Sequence, residues 1–363
     1  MKKLKRNLND LFELGRKFFL EIGSFDRTAL IFHRDADGLC SAAIVIHAME
    51  KMGIEIPKTF AATNNSIQPI LKKVKGFDKI VVVDIDIVYL KKFLSSLEKE
   101  IMIVDHHPPR GDLNTEKIIY INPHFSYPEI YQPASYILYK LFSHFLDMKE
   151  IEWVAVVGTS GDYGFENCKD LMQKWVRIKR KEEILETEFG KAALTLNGAG
   201  AIIGYENVLE ELLKTKNVNE IFENKKIVDG YKQFLKKYEI AKKMFVKNMK
   251  EIKELNLMIS EIKSLEKQRF GSPLATEFGT VYPKKIIVLI SRENGVCSIS
   301  ARGVFGAAGE LHLGKLMEKC CKGIGGGGGH RQAAGGTVSS KKVEIFKKRM
   351  TSELERLLKP KRV

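Results

Sequence analysis

The sequence has few cysteines and no long apolar run, and each absence excludes a class of protein. The five cysteines are unevenly spaced along the 363 residues, and no Cys-x-x-Cys pair occurs. Neither a zinc knuckle nor a disulfide framework is therefore supported. A run of about eighteen apolar residues, which a membrane-spanning helix needs, occurs nowhere. The sequence therefore predicts a protein without a membrane span.

The N-terminal segment also lacks the features of a signal peptide. Residues 1–23 are basic, but their apolar side chains recur at helical spacing instead of forming one continuous apolar core. This pattern predicts an amphipathic helix. We therefore expect an intracellular, cytoplasmic protein that does not associate with membranes.

The charge balance is strongly basic. Lys and Arg number 60 against 45 Asp and Glu, which gives a net charge of +15. Because Lys and Arg neutralise phosphates and release counterions, a polyanion such as nucleic acid is a candidate partner. The alternative is a lysine-rich surface of the kind found in thermophiles. With 44% hydrophobic and 29% charged residues, the chain is neither disordered nor of low complexity.

The first half alternates strand-like and helical segments, which predicts an α/β fold with a parallel sheet. The strand-like runs are rich in β-branched residues and nearly continuous in apolarity, as in strands covered on both faces. They are residues 28–33, 79–85, 101–105 and 117–121. Helical patterns lie between them, at residues 41–52, 68–75 and 90–100.

The second half begins with a long charged, helical pattern. Residues 209–263 are predicted to be a helical connector between a domain of residues 1–208 and one of residues 264–363. The alternative is that this segment is simply the last helix of the first domain. Val/Ile runs and glycines follow Pro273, and a final helix is predicted at residues 342–358.

Potential metal ligands follow four of the apolar segments. In chain order they are His33, Asp35 and Asp37, then Asp84, then Asp105, His106 and His107, and finally Asp162 after the run WVAVVG. In an open parallel sheet, ligands bind at the carboxyl ends of the strands. We therefore expect the four groups to meet at one edge of the sheet. The alternative for each group, taken singly, is a purely structural role in a turn, a helix cap or a strand end.

The composition of this cluster indicates a divalent metal centre. Carboxylates with a minority of imidazoles and no thiolate favour Mn²⁺ or Mg²⁺ over a structural zinc. Five or six ligands exceed what one such ion needs. Two ions roughly 3.5–4 Å apart would account for them, and such a pair activates water for phosphoryl transfer.

A glycine run near the C-terminus is a candidate phosphate site. Residues 325–329 are all glycine and are followed by His330 and Arg331, which offers backbone N–H donors and cationic side chains. Ser298, Ser300 and Arg302 follow a strand-like run and are further candidate donors. The alternative for the glycine run is a flexible linker.

The motifs HRDADG, VVVDID, VDHH, GTSGDYG and SISARG…GGGGGHRQAAGG resemble, in this order, those of the DHH phosphoesterase superfamily with its glycine-rich DHHA1 domain. The likeness covers almost the whole chain. It implies a catalytic, metal-binding DHH domain at residues 1–208 with a parallel sheet, and a helical connector at 209–263. A smaller α/β DHHA1 domain with a glycine-rich, substrate-binding loop would follow at 264–363. The active site is expected in the cleft between the two domains.

The resemblance also implies roles for individual residues. It implies two Mn²⁺ ions, with Mg²⁺ as a possible substitute; one is held by His33, Asp35, Asp84 and Asp162, and the other by Asp37, Asp84 and His106. Asp84 would bridge the two ions, and Asp162 could be shared between them as well. His107 would face the scissile phosphate, and Asp105 would orient a ligand histidine. Ser300, Arg302, Gly328, Gly329 and His330 would bind the substrate phosphate.

Archaeal RecJ-like exonucleases match this pattern best within the superfamily. The resemblance therefore implies hydrolysis of phosphodiester bonds from an end of single-stranded DNA or RNA, and a possible association with replication or repair proteins. One alternative is a hydrolase of short oligonucleotides or of 3′-phosphoadenosine phosphate. The other is a non-catalytic subunit of a replication complex.

Four aromatic residues near the predicted site are candidates for base stacking. They are Phe125, Tyr127, Tyr131 and Tyr163. We expect most of them to pack in the core, as aromatic side chains commonly do.

Overall fold

The chain forms two compact units, Met1–Phe234 and Leu235–Val363. The computed structural model describes residues 7–64, 66–263, 270–303, 311–329 and 331–358. The predicted domain limits at residues 208 and 264 stay a prediction. In the part of the chain that is described, every helix is too short or too polar to cross a membrane.

The first unit contains a parallel sheet in the order β2-β1-β3-β4-β5. Its strands are β1 (Thr28–His33), β2 (Lys58–Ala62), β3 (Lys79–Val83), β4 (Glu100–Val104) and β5 (Ile118–Ile121). Alternate residues of β3 join two different cores, with Val81 and Val83 in one and Ile80 and Val82 in the other. The sheet is therefore covered on both faces, which explains the continuous apolar runs.

Eleven α-helices begin in the described residues of the first unit. They are α1 (Leu8–Leu20), α2 (Ala36–Lys51), α3 (Ile67–Lys73), α4 (Lys91–Ser95), α5 (Ala134–Ser143), α6 (Glu152–Gly161), α7 (Lys169–Trp175), α8 (Glu188–Ile203), α9 (Tyr205–Leu212), α10 (Val218–Glu223) and α11 (Lys225–Asn248). The last of these contains the boundary between the two units. The predicted amphipathic N-terminal helix corresponds to α1, which buries Phe12, Phe18 and Phe19.

The predicted α/β organisation of this unit is confirmed, with three differences. Strand β2 was not predicted because only its last two residues are buried, whereas β5, at the opposite edge of the sheet, buries three of its four residues. The helix predicted at residues 90–100 is shorter, since α4 ends at Ser95 and β4 begins at Glu100. The apolar run WVAVVG, grouped above with the strand ends, is the buried helix α6; a short apolar run does not distinguish a buried strand from a buried helix.

The second unit contains a mixed sheet in the order β10-β11-β9-β8-β7-β6, in which only β7 and β8 pair in parallel. Its strands are β6 (Lys250–Ile252), β7 (Leu257–Lys263), β8 (Ile286–Glu293), β9 (Val296–Gly303), β10 (Gly325–Gly329) and β11 (Ala333–Ser339), and its further helices are α12 (Gly271–Val281), α13 (Leu313–Cys321) and α14 (Val343–Leu358). The prediction of helical structure through residue 263 is wrong at its end, because β6 occupies residues 250–252 and β7 residues 257–263. In β7 burial alternates from Met258 to Lys263, which is a strand pattern.

The glycine run is an edge strand and not the predicted glycine-rich loop or a flexible linker. It is strand β10, in which Gly327 pairs with Gly336 of β11. A Cβ on Gly327 would lie 2.9 Å from Cys321 Sγ and 2.9 Å from Met317 Cγ of α13. Without side chains at these positions, α13 packs directly on the backbone of the strand. Close packing is the physical reason for the glycines at this position.

Replacing Gly327 with Ala is expected to destabilise the second unit by about 1–3 kcal/mol, since the new methyl overpacks the contact with α13. Gly326→Ala is the matched control in the same strand, because its Cβ would meet nothing within 4 Å. The free energy of unfolding, measured with urea, should change by less than about 0.5 kcal/mol in the control. Equal effects of the two substitutions would contradict the packing argument.

Candidate metal centre

Three strands of the first unit end level with one another. Phe32 of β1 pairs with Val83 of β3, and Val83 pairs with Val104 of β4. The residues that follow these positions are His33, Asp84 and Asp105. The parallel register therefore brings polar side chains from three distant segments to the same edge of the sheet.

The turn between β1 and α2 holds the carboxylate of Asp35 at this edge. Asp35 is the N-cap of α2: its Oδ1 accepts a hydrogen bond from the N–H of Gly38 at 2.9 Å, and its Oδ2 is hydrogen-bonded to His33 Nδ1. A Cβ on Gly38 would lie only 2.3 Å from the carbonyl oxygen of His33. Glycine therefore lets the helix begin directly against the strand end.

Asp37 is fully buried and caps a second helix. Its carboxylate accepts hydrogen bonds from the N–H groups of Ala134, at 2.7 Å, and Ser135, at 3.0 Å, and from the Ser135 hydroxyl. These contacts satisfy the N-terminus of α5 and benefit from its dipole. Ligand atoms of Asp37, His106 and Asp162 also lie within 4.8 Å of one another. Asp37 therefore combines a structural contact with a place in the acidic cluster.

Asp84 lies at the centre of the cluster in an unusual backbone conformation. Its φ of 62° is in the left-handed region, and its side chain is buried. The Nε2 atom of His106 lies 3.2 Å from Oδ1, and Nδ1 of His33 lies 3.6 Å from Oδ2. Although burial alone would raise it, the imidazoles of His106 and His33 hold the pKa of Asp84 below its ordinary value.

Asp162 reaches the same edge from a helix and not, as the sequence suggested, from a strand. It is the C-cap of α6, and the N–H groups of Tyr163 and Gly164 bond to the carbonyls of Ser160, at 3.2 Å, and Thr159, at 2.9 Å. This is a Schellman motif. It places Asp162 Oδ2 3.3 Å from His106 Nε2.

The electrostatics of the cluster reflect crowded carboxylates. Burial raises the pKa of Asp162 to about 6. The charge of His106 lowers this pKa, whereas the negative charge of Asp84 raises it further. Burial, with Asp84 and Asp162 nearby, likewise raises the pKa of Asp37 well above its ordinary value. Burial would lower the pKa of His106, but the hydrogen bond to Asp84 and the charge of Asp162 raise it to about 10. The site therefore favours cations strongly.

The Asp-His-His segment contains a buried hydrogen-bond network. Asp105 accepts hydrogen bonds from His107 Nδ1, at 2.7 Å through Oδ1, and from the Tyr120 hydroxyl, at 3.2 Å through Oδ2. Asn122 Nδ2 donates to the Tyr120 hydroxyl at 3.1 Å and to the His107 carbonyl at 2.9 Å. Asp105 thus orients His107. Sequence reasoning missed Tyr120 and Asn122, although Asn122 follows β5 just as the other site residues follow their strands.

The residues at this edge fit divalent metal ions. Their ligand atoms fall into three sets, each within 4.8 Å: His33, Asp35 and Asp84; Asp84, His106 and His107; and Asp37, His106 and Asp162. Asp84 Oδ2 and His106 Nδ1 are buried, and neither has a hydrogen-bond partner among the described residues. Buried polar atoms normally have partners, so Asp84 Oδ2 is a candidate ligand. The atom of His106 that faces the carboxylates of Asp84 and Asp162 is Nε2. Carboxylates with imidazoles suit Mn²⁺ or Mg²⁺.

The candidate phosphate-binding residues lie in the second unit. Gly328 of β10 pairs with Gly335, which pairs with Ser300 of β9, so the three form one row across the sheet. Gly329 is the last residue of β10. Arg302 donates hydrogen bonds to Thr276 Oγ1, at 3.1 Å, and to Ser272 Oγ, at 2.6 Å. His330 lies outside the described residues.

Comparisons with known proteins agree with this architecture. The family model for the N-terminal domain of the DHH family matches residues 27–157, and that for the DHHA1 domain matches residues 256–356. No curated protein has a sequence that matches this chain. The matched ranges contain the parallel sheet and most of the mixed sheet.

Three solved structures share the fold. RecJ from Thermus thermophilus in complex with Mn²⁺ has a TM-score of 0.72 and 15% identity, covering 96% of this chain and 55% of that one. A manganese-bound exonuclease RecJ has a TM-score of 0.67 and 15% identity, covering 97% and 95%. The DHH domain of a protein described as a member of a family of ribosomal proteins has a TM-score of 0.73 and 16% identity, covering 98% and 93%.

The chain thus spans little more than half the length of Thermus RecJ. At these identities the structural matches show the fold alone. The two family models identify the family. The chain belongs to the DHH/DHHA1 superfamily and has a RecJ-like fold.

Proposed function

We propose that this chain is a divalent-metal-dependent exonuclease that hydrolyses phosphodiester bonds from an end of single-stranded DNA or RNA. One observation carries the proposal: segments distant in the chain bring carboxylates and imidazoles into three overlapping ligand sets at one sheet edge. Two-metal sites of this composition are typical of nucleases and phosphatases. The manganese-bound RecJ structures that share the fold support Mn²⁺ as the metal, with Mg²⁺ as a possible substitute.

The ligand sets favour a particular division of the residues. His33, Asp35 and Asp84 would hold one ion, and Asp37, His106 and Asp162 a second, with Asp84 close to both because it shares a set with His106. The family resemblance implies that Asp162 binds the first ion or is shared between the two. Its ligand atom lies within 4.8 Å of those of Asp37 and His106, which favours the second ion or a shared position. When bound, such ions lower the pKa of water and offset the charge of phosphate oxygens.

His107 would bind the substrate phosphate directly. Asp105 accepts the proton of His107 Nδ1, which leaves Nε2 for substrate. Burial would lower the pKa of His107, but Asp105 raises it above its ordinary value. When protonated, Nε2 would donate a hydrogen bond to a phosphate oxygen. Tyr120 and Asn122 hold Asp105 and His107 in place for this contact.

The charge of the chain and its second unit support a nucleic-acid substrate. The net charge of +15 favours a polyanion. Ser300, Arg302, Gly328, Gly329 and His330 are proposed to bind a phosphate of the strand; the Arg302 guanidinium suits this role because it donates several hydrogen bonds in one plane. Association with replication or repair proteins is part of the proposal.

The decisive experiment compares substrates by size. End-labelled DNA and RNA strands of several lengths are incubated with the protein and Mn²⁺, in parallel with dinucleotides and 3′-phosphoadenosine phosphate. We expect the long strands to be shortened from one end with the highest kcat/KM. Preference for dinucleotides or 3′-phosphoadenosine phosphate would replace the proposal by a small-substrate hydrolase. Hydrolysis of none of them, with Mn²⁺ bound, would favour a non-catalytic subunit.

A further inference from the structure

Three aromatic residues near the metal centre are exposed. Tyr127, Tyr131 and Tyr163 are 58%, 41% and 39% exposed, so the expectation that most of the four aromatics pack in the core is wrong. Only Phe125 packs as expected, with its ring 5.3 Å from that of Tyr120. Two of these residues adjoin Asp162: Tyr131 is hydrogen-bonded to its carboxylate, and Tyr163 follows it in the sequence.

Tyr163 occupies a backbone position that glycine usually fills. It is the C′ residue of the Schellman motif that ends α6, and its φ is 55°. Glycine adopts this left-handed conformation freely, whereas a residue with a Cβ is strained there. Tyr163 is thus a strained residue with a partly exposed aromatic ring, and it follows the candidate metal ligand Asp162 directly in the sequence. Strain of this kind is common at functional sites.

Tyr131, which lies 31 residues before Asp162 in the sequence, contacts the carboxylate of Asp162. Its hydroxyl donates a hydrogen bond to Asp162 Oδ2 at 3.0 Å, and its ring meets that of His106 edge-on at 5.2 Å. Its backbone N–H donates to Asn167 Oδ1 at 2.9 Å, which ties this loop to the segment after α6. The orientation of the Tyr131 ring is therefore determined before any ligand binds.

The same two loops are in close contact beyond Tyr131. A Cβ on Gly164 would lie 2.5 Å from Pro133 Cδ, so the backbone of Gly164 packs directly against the ring of Pro133. Two aromatic residues therefore adjoin Asp162: Tyr163 follows it in the sequence, and Tyr131 donates a hydrogen bond to it. Both side chains are partly exposed, and both lie on loops that pack against each other. Preorganised rings of this kind bind flat ligands at little cost in conformational entropy.

We propose that Tyr131 and Tyr163 form a nucleobase-binding site, in which their rings stack on the base of the nucleotide whose phosphate lies at the metal centre. The inference rests on the proposed function and adds that the protein binds the nucleobase as well as the phosphate. Because every base presents a π-face, stacking binds all four bases without sequence preference. The site would therefore require an unpaired base and tolerate any sequence.

The experiment compares strands with and without terminal bases. Fluorescence anisotropy, with Ca²⁺ in place of Mn²⁺ to limit hydrolysis, gives the Kd of a labelled twelve-nucleotide DNA and of the same strand with abasic residues at either end. We expect the wild-type protein to bind the complete strand at least about fivefold more tightly. Tyr131→Leu and Tyr163→Leu should lose this preference, whereas Tyr131→Phe and Tyr163→Phe should keep it. Phe222→Leu, an equally exposed aromatic on α10, is the control and should not change it.

A second variant separates binding from folding. Tyr163→Gly should raise the unfolding midpoint by about 2 °C, since glycine relieves the left-handed strain, and should still lose the preference for the complete strand. A lower midpoint would mean that Tyr163 supports the fold, which would overturn the inference. Equal Kd values for complete and abasic strands would also overturn it while leaving the proposed function intact. Binding of neither strand, together with no hydrolysis, would overturn both.

Discussion

Replacing Asp84 with Asn is expected to reduce Mn²⁺-dependent hydrolysis of a single strand by at least about 10³-fold while preserving the fold. The effect should exceed the roughly 10–100-fold typical of residues that only support metal ligands, because Asp84 shares ligand sets with residues on both sides. Asn is the informative substitution. The φ of Asp84 is 62°, and Asn tolerates this conformation, whereas Ala would add strain.

Thermal unfolding gives a second measure of the same prediction. At Mn²⁺ concentrations about 100-fold above Kd, binding should stabilise the wild-type protein by about 2.7 kcal/mol and raise its unfolding midpoint by about 5 °C or more. The Asp84→Asn protein should lose most of this increase. A metal-dependent increase in the midpoint is independent of the substrate that is chosen.

Asp86→Asn is the matched control for this experiment. Asp86 lies two residues further along, where its carboxylate accepts the Val88 N–H at 3.2 Å and lies 4.0 Å from Arg110. It belongs to none of the three ligand sets in the described part of the chain. Its substitution should leave hydrolysis and metal-dependent stabilisation unchanged. Full activity of Asp84→Asn, or equal losses in both variants, would refute the shared-ligand assignment.

The second large effect is expected from a single methyl group. In Gly38→Ala the new Cβ would lie 2.3 Å from the carbonyl oxygen and 2.7 Å from the nitrogen of His33. These are backbone atoms of β1, so α2 has to move instead. We expect a loss of about 3 kcal/mol or more in the free energy of unfolding. Because Asp35 and Asp37 lie at the start of α2, Mn²⁺ binding should be lost as well.

Gly76→Ala controls for the glycine-to-alanine change itself. A Cβ at Gly76 would meet nothing within 4 Å, so its unfolding free energy, measured with urea, should stay within about 0.5 kcal/mol of the wild-type value. Mn²⁺ binding by calorimetry should also be unchanged. If Gly38→Ala bound Mn²⁺ with wild-type affinity, the tight turn would not be what positions Asp35 and Asp37.

The apolar runs in the sequence predicted most strands of the parallel sheet, which packs against a hydrophobic core on each face. The runs that contain β1, β3, β4 and β5 are apolar at nearly every position, because both faces of the sheet are covered. Strand β2 could not be recognised in this way because its first three residues are exposed or only partly buried. The run WVAVVG resembles a strand because helix α6 is buried on all sides. It has no polar face, so its sequence does not show the 3.6-residue period of a helix.

The order of residues along the chain is enough to show which polar side chains end the buried strands, and therefore that His33, Asp84 and Asp105 share an edge. How the other residues join them depends on the packing of segments that are far apart in the chain. Asp162 is delivered by a helix C-cap, and Asp37 also caps α5 through a contact that spans 97 residues. The physical reason is that hydrophobic periodicity encodes burial along one segment, whereas the distance between two segments depends on how they pack together.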